Sequence, residues 1–174
     1  MSSIALFLLC LISILQPDYD VYTNTSAQFS VMKPGLYKEK YANIETKIGD
    51  VEVYTYYCEP PAEHPNYLYL INYIQYPEEA LHHDSLDVVT ELFAQSLEES
   101  RVGMEAKLLY QVQQSDNQYP TQLSRMEFNQ GQHTVKSKMM VAENRFYFIQ
   151  VFTIKEYSLN DDIDLYLNSF KLIN

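Results

Sequence analysis

The sequence predicts an α+β domain in which an antiparallel β-sheet of about six to eight strands is sandwiched by helices. Three observations carry that expectation. Most apolar stretches alternate with a period of two, the mark of a strand. Only two segments, 86–103 and 160–170, repeat at intervals of three and four. Those segments do not alternate regularly with strands, as a doubly wound parallel fold requires. The chain has 174 residues, with 47% hydrophobic and 20% charged side chains. That length suits one core, and that composition suits an ordered globular domain.

Residues 1–15 read as an apolar leader, either a signal peptide or an anchor. Ile4 to Leu15 is nearly unbroken in its hydrophobicity. It is shorter than the ~20 residues of a membrane-spanning helix and matches the apolar core of a secretory signal. Cys10 lacks the small residue immediately before it that a lipobox wants. Residues 16–27 (QPDYDVYTNTSA) read as a polar linker and 28–174 as a single domain. Asn24-Thr25-Ser26 fits the N-glycosylation pattern, a frequent chance match. Export to a periplasmic or extracellular location follows, with membrane association expected through the leader only.

Within the domain, Phe29 and Val31 alternate in a first strand that Lys33-Pro34-Gly35 interrupts. Ile44 to Ile48 and Val51 to Cys58 flank Gly49-Asp50, the pattern of a two-residue hairpin turn. Val51, Val53, Thr55 and Tyr57 face one way in the second of these strands, and Glu52, Tyr54 and Tyr56 the other. After the loop 60–66, Tyr67 to Gln75 is apolar on both faces, as at the centre of a covered sheet. Leu86, Val89, Phe93 and Leu97 share one face of a helix that Asp84 or Ser85 caps and that Arg101 and Gly103 end. Ala106 to Val112 and Leu123 to Asn129 read as strands separated by a loop at 115–120. Val135 to Val141 and Arg145 to Ile154 pair across a tight turn at Glu143-Asn144. A short helix opens at Asn160, with Ile163, Leu167 and Phe170 on its inner face.

Five segments carry a family resemblance: FSVMKPG at 29–35, TKIGDVEVYTYYCE at 46–59, NYLYLINYIQYPE at 66–78, ENRFYFIQVF at 143–152 and LYLNSFKLI at 165–173. Together they resemble the PsbP-like superfamily, and more narrowly its uncharacterised bacterial envelope branch. The resemblance implies an antiparallel sheet between helices. It also implies a non-enzymatic binding role, since known members include an extrinsic photosystem II subunit and a protein that binds the small GTPase Ran. It places no family site residue on this chain.

The residues themselves point away from most familiar chemistries. A net charge of −11 repels phosphate backbones, so nucleic acid is not an expected partner. The four glycines form no phosphate-binding loop or nucleophile elbow. Among the histidines, only His82-His83 stand together, and they lack the spacing that places two ligands on one helix face. The run 160–164 (NDDID) lacks the glycine and terminal glutamate of a calcium loop and suits a helix N-terminus. Glu78-Glu79 beside Tyr76 reads as a solvated pair, and Cys58 as a buried structural thiol. No catalytic residue, metal ligand or cofactor site is expected.

The chain has 16 tyrosines and no tryptophan. Tyr54, Tyr56, Tyr67, Tyr69 and Tyr73 fall on neighbouring strands and form the candidate interaction surface, because tyrosine joins a large rigid ring to a polar tip. The expectation is a non-catalytic envelope or secreted protein that binds an unidentified protein partner. The alternative is a small-ligand carrier with a pocket between helix and sheet. An unrecognised hydrolase is the third and weakest reading.

Overall fold

The computed structural model describes residues 20–46, 49–116 and 118–173. The leader expected at 1–15 lies outside them. Seven strands form one antiparallel sheet: β3 (Lys38–Thr46), β4 (Gly49–Cys58), β5 (Asn66–Gln75), β6 (Lys107–Asp116), β7 (Tyr119–Phe128), β8 (His133–Ala142) and β9 (Arg145–Ile154). Their order across the sheet is β3-β4-β5-β9-β8-β7-β6, so hairpins account for every neighbour pair except β5 and β9. Helix α1 (Leu86–Gly103) fills the long connection between β5 and β6. A three-stranded sheet joins β1 (Val21–Asn24), β2 (Phe29–Met32) and β10 (Lys171–Leu172), with β10 following helix α2 (Asp161–Ser169).

Alternation along the strands divides the core in two. One face of the large sheet offers Tyr56, Cys58, Tyr69, Ile71, Tyr147, Ile149 and Val151 to the small sheet and to Ile163, Tyr166 and Leu167 of α2. The other offers Met126, Val135, Met139, Val141 and Phe146 to Val89, Phe93 and Leu97 of α1. The three- and four-residue spacing on α1 thus buries the stripe that the sequence marks. Helices do cover both faces, as expected.

Four local features differ from the sequence reading. The end of the expected linker contributes β1, and Ala27 is fully buried. Strand β2 needs ladder partners for its backbone N–H and C=O groups, and β1 supplies them on one side from Val21↔Met32 to Asn24↔Phe29, while Phe29 and Val31 pack into the core against the large sheet. Gly49 and Asp50 are strand residues paired with Thr46 and Glu45, so the hairpin connection is 47–48, outside the described residues. The polar stretch 115–120 is mostly strand, since Ser115↔Pro120 and Asp116↔Tyr119 extend the β6–β7 ladder to its tip. Finally, a register shift between Asn66 and Leu68 turns Tyr67 away from the face shared by the other β5 tyrosines.

Candidate functional site

Cross-strand register aligns four tyrosines into one row. Tyr41 pairs with Tyr54, Tyr54 with Tyr73, and Tyr73 with Tyr147. Their ring centroids are 5.2, 6.1 and 5.3 Å apart, within the range of favourable aromatic pairs. The row runs from Tyr41, 55% exposed at the sheet edge, to Tyr147 in the core. Beyond Tyr147 the aromatic packing continues into Phe170 and Phe29.

The middle of this row, Tyr54 and Tyr73, borders a groove of about 540 Å³. Tyr54, Tyr56 and Tyr73 contribute to it from β4 and β5, the turn after β1 from one side, and Tyr76-Pro77 after β5 from another. Glu39, Asp50 and Glu52 also line it, and among the described residues no lysine or arginine does. The acids arrive there for a simple reason. Strand side chains alternate between faces, so Asp50 and Glu52 share the side of Tyr54 and Tyr56, and Glu39 shares that of Tyr41.

Hydrogen bonds fix the groove's walls. The Glu52 carboxylate accepts from the Tyr41 hydroxyl at 3.1 Å and from the Tyr54 hydroxyl at 3.0 Å. Those bonds to an anionic acceptor are the main reason both phenols titrate above their ordinary range. Burial, with the charge of Glu39 adding to it, pushes the Tyr56 phenol up to about 12. Tyr73 donates to Gln75 Oε1 at 3.1 Å. The turn after β1 is held at Ala27 from both ends: its N–H donates to Asn24 Oδ1 at 2.8 Å, and its carbonyl accepts from the Tyr147 hydroxyl at 2.8 Å.

Of the five tyrosines expected on an interaction surface, Tyr54, Tyr56 and Tyr73 meet at this groove. Tyr69 instead lies fully buried against Tyr166, with its hydroxyl accepting from Asn66 Nδ2 at 2.8 Å. Tyr67 lies on the opposite face beside His133 and Phe152. Tyr56 and Tyr73 are themselves only 2% and 5% exposed, so most of the set is core and the accessible surface is narrower than a continuous tyrosine face. Sequence reasoning omitted Glu39, Tyr41, Asp50 and Glu52. The pattern Asp-x-Glu-x-Tyr-x-Tyr at 50–56 carries the signal, because it puts acids and rings on one side of a strand.

The remaining candidates fall elsewhere. His82, His83 and Asp84 bring ligand-type atoms within 4.8 Å of one another, the only such group among the described residues. Two of these atoms have backbone partners: His82 Nδ1 accepts the Asp84 N–H at 3.3 Å and His83 Nδ1 accepts the Glu143 N–H at 3.1 Å. The acids at 161–164 lie in the first turn of α2, where Asp162 faces His64 at 3.8 Å and Asp164 pairs with Lys136. Glu78 and Glu79 are exposed loop residues. Burial raises the Cys58 thiol, which disfavours a nucleophilic thiolate. A second cavity, of about 410 Å³, lies between α1 and the β6–β7 hairpin, where Leu86, Val89 and Phe93 face His83, Gln113 and Thr121.

No helix of the described residues is long and apolar enough to cross a membrane. No family profile matches the chain, and no curated protein does. Its fold does match a known one. The solution structure of cyanobacterial PsbP from Synechocystis sp. PCC 6803 aligns with a TM-score of 0.61, covering 88% of this chain and 91% of that one at 9% identity. A protein of unknown function from Pseudomonas aeruginosa aligns with a TM-score of 0.41, covering 65% and 82% at 12% identity. The chain therefore has the PsbP-like α+β fold, an antiparallel sheet with helices on its faces.

Proposed function

We propose that this chain is a non-catalytic binding module that receives a positively charged segment of a protein partner in its acidic, tyrosine-walled groove. The observation that carries the reading is the convergence of Glu39, Asp50 and Glu52 on a groove walled by Tyr54, Tyr56 and Tyr73. Aromatic faces and carboxylates both attract cations, and a guanidinium or ammonium group on an apolar stem satisfies the two at once. The three acids are not among the groups whose ligand atoms converge within 4.8 Å. Their spacing therefore suits an extended organic cation better than a single metal ion. The apolar leader expected at 1–15 supports export, so the proposed partner is one of the envelope or the cell exterior.

The test is fluorescence anisotropy with an arginine-rich peptide at about 0.15 M salt, comparing the protein with an E39Q/D50N/E52Q variant. A control variant, E63Q/E78Q/E79Q, removes the same charge from exposed loops. Three partly screened charge contacts of ~0.5 kcal/mol each predict about tenfold weaker binding for the groove variant alone. Equal weakening in both variants refutes a defined site.

The second cavity favours another reading, a carrier of a small ligand held between α1 and the sheet. Its lining combines the apolar Leu86, Val89 and Phe93 with polar groups such as Gln113 and Thr121, the usual mixture in such a pocket. A thermal-shift screen of small amphipathic compounds tests it. A stabilising hit that a Phe93→Ala variant no longer binds supports the carrier, and an empty screen counts against it.

A further inference from the structure

We propose that the partner segment binds as an added β-strand along the free edge of β3, with basic side chains at alternate positions lying over the acidic groove. The inference rests on the groove reading and specifies the conformation and sequence pattern of what the groove receives.

Strand β3 is the terminal strand of the seven-stranded sheet. Every second residue therefore turns its N–H and C=O away from β4, toward the space a further strand fills. The ladder between β3 and β4 runs unbroken over nine residue pairs, from Lys38↔Tyr57 to Thr46↔Gly49. That makes a regular template roughly 30 Å long at ~3.3 Å per residue. The opposite edge, β6, has a register shift between Leu108 and Tyr110, which interrupts its template.

Charge is sorted between the two faces of β3. Glu39 and Tyr41 lie on the groove side with Glu52 and Tyr54. Lys38 and Lys40 lie on the other, at 5.6 and 5.0 Å from the Tyr57 ring centroid. An added strand alternates in step with β3. Its side chains on the groove side meet carboxylates and phenols, and those on the far side meet Lys40 and Lys38, the latter paired with Glu59 at 3.0 Å. Arginine or lysine alternating with uncharged or acidic residues is the complementary pattern. A second copy of this chain fits poorly, because full antiparallel overlap of two β3 edges places the groove sides of both copies on one surface and sets position 39 of one opposite position 45 of the other, glutamate against glutamate.

Calorimetry on the full chain tests this with nine-residue peptides in which Arg alternates with Thr and Val. One peptide is unmodified, and two are N-methylated at alternate backbone positions, one in each phase. Strand addition predicts that one phase of methylation weakens binding by about tenfold or more while the other is tolerated, since only alternate N–H groups face β3. If the unmodified peptide binds and both methylated forms bind equally well, strand addition is overturned and the groove reading stands. If none of the three binds, both are overturned.

Discussion

Tyr147→Phe removes one hydroxyl from the core and, with it, the support of the groove's wall. The ring remains, so its packing against Tyr73, Phe170 and Phe29, at 5.3, 5.2 and 6.3 Å, is retained. What disappears is the 2.8 Å donation to the Ala27 carbonyl, a link across 120 residues between the large sheet and the turn after β1. Tyr147 and Ala27 are both 0% exposed, so water does not replace the lost donor. An orphaned buried carbonyl costs ~1 to 3 kcal/mol. At ~2 to 4 °C per kcal/mol for a domain of this size, the thermal midpoint falls by roughly 2 to 12 °C. Urea unfolding followed by circular dichroism measures the loss against Tyr157→Phe, a control at a ring that is 52% exposed. Because Asn24 and Ala27 also line the groove, affinity for an arginine-rich peptide should fall by a few fold in the same variant. If the two variants unfold within ~0.3 kcal/mol of each other, Tyr147 does not brace this turn as described.

Alkaline pH should destabilise the protein steeply. Burial raises the phenols of Tyr37, Tyr69, Tyr147 and Tyr166, and brings Tyr56 to about 12. The folded chain then keeps protons that the unfolded chain releases near pH 10. Stability is full below that value and is lost as pH rises through the folded values, by ~1.4 kcal/mol at pH 11 for a phenol shifted like Tyr56. Urea midpoints that do not change between pH 9 and pH 11 contradict this. Gly35→Ala should cost ~1 to 3 kcal/mol, because a Cβ there sits 2.8 Å from Cys58 Sγ. Cys58→Ala should recover part of that loss in a double-mutant cycle, and additive effects exclude the clash. Lys138, with a side chain only 4% exposed, donates to Asp116 Oδ2 at 2.7 Å. Chemical denaturation should find Lys138→Met nearly neutral and Asp116→Ala costly by more than about 2 kcal/mol, since the second leaves a buried ammonium unpaired.

The elements that local pattern encodes were legible in the sequence. The three- and four-residue spacing of Val89, Phe93 and Leu97 identifies α1. The β8–β9 hairpin follows from two long alternating runs joined at Glu143-Asn144, where Glu143 adopts a φ of 55° that a tight turn demands. Features decided by distant contacts were not legible. Strand β1 is half polar and becomes a strand only against β2, and β10 is two residues long and pairs with β2 from the far end of the chain. The groove was half visible. Tyr54, Tyr56 and Tyr73 follow from parity on neighbouring strands. Tyr67 does not, because the irregularity at Asn66–Leu68 reverses its face and no local residue type announces it. The acids share the parity of the tyrosines, but whether they meet at a groove depends on how β3, β4 and the turn after β1 come together.

The most direct test of the groove is amide chemical-shift mapping of the isotope-labelled protein titrated with the alternating Arg peptide. Binding in the groove predicts saturable shifts concentrated on β3, the first half of β4, the turn at 24–27 and the amides of Gln75 and Tyr76, with α1 and the β6–β7 hairpin unchanged. Shifts spread over exposed acids across the whole surface, or centred on the cavity beneath α1, contradict it.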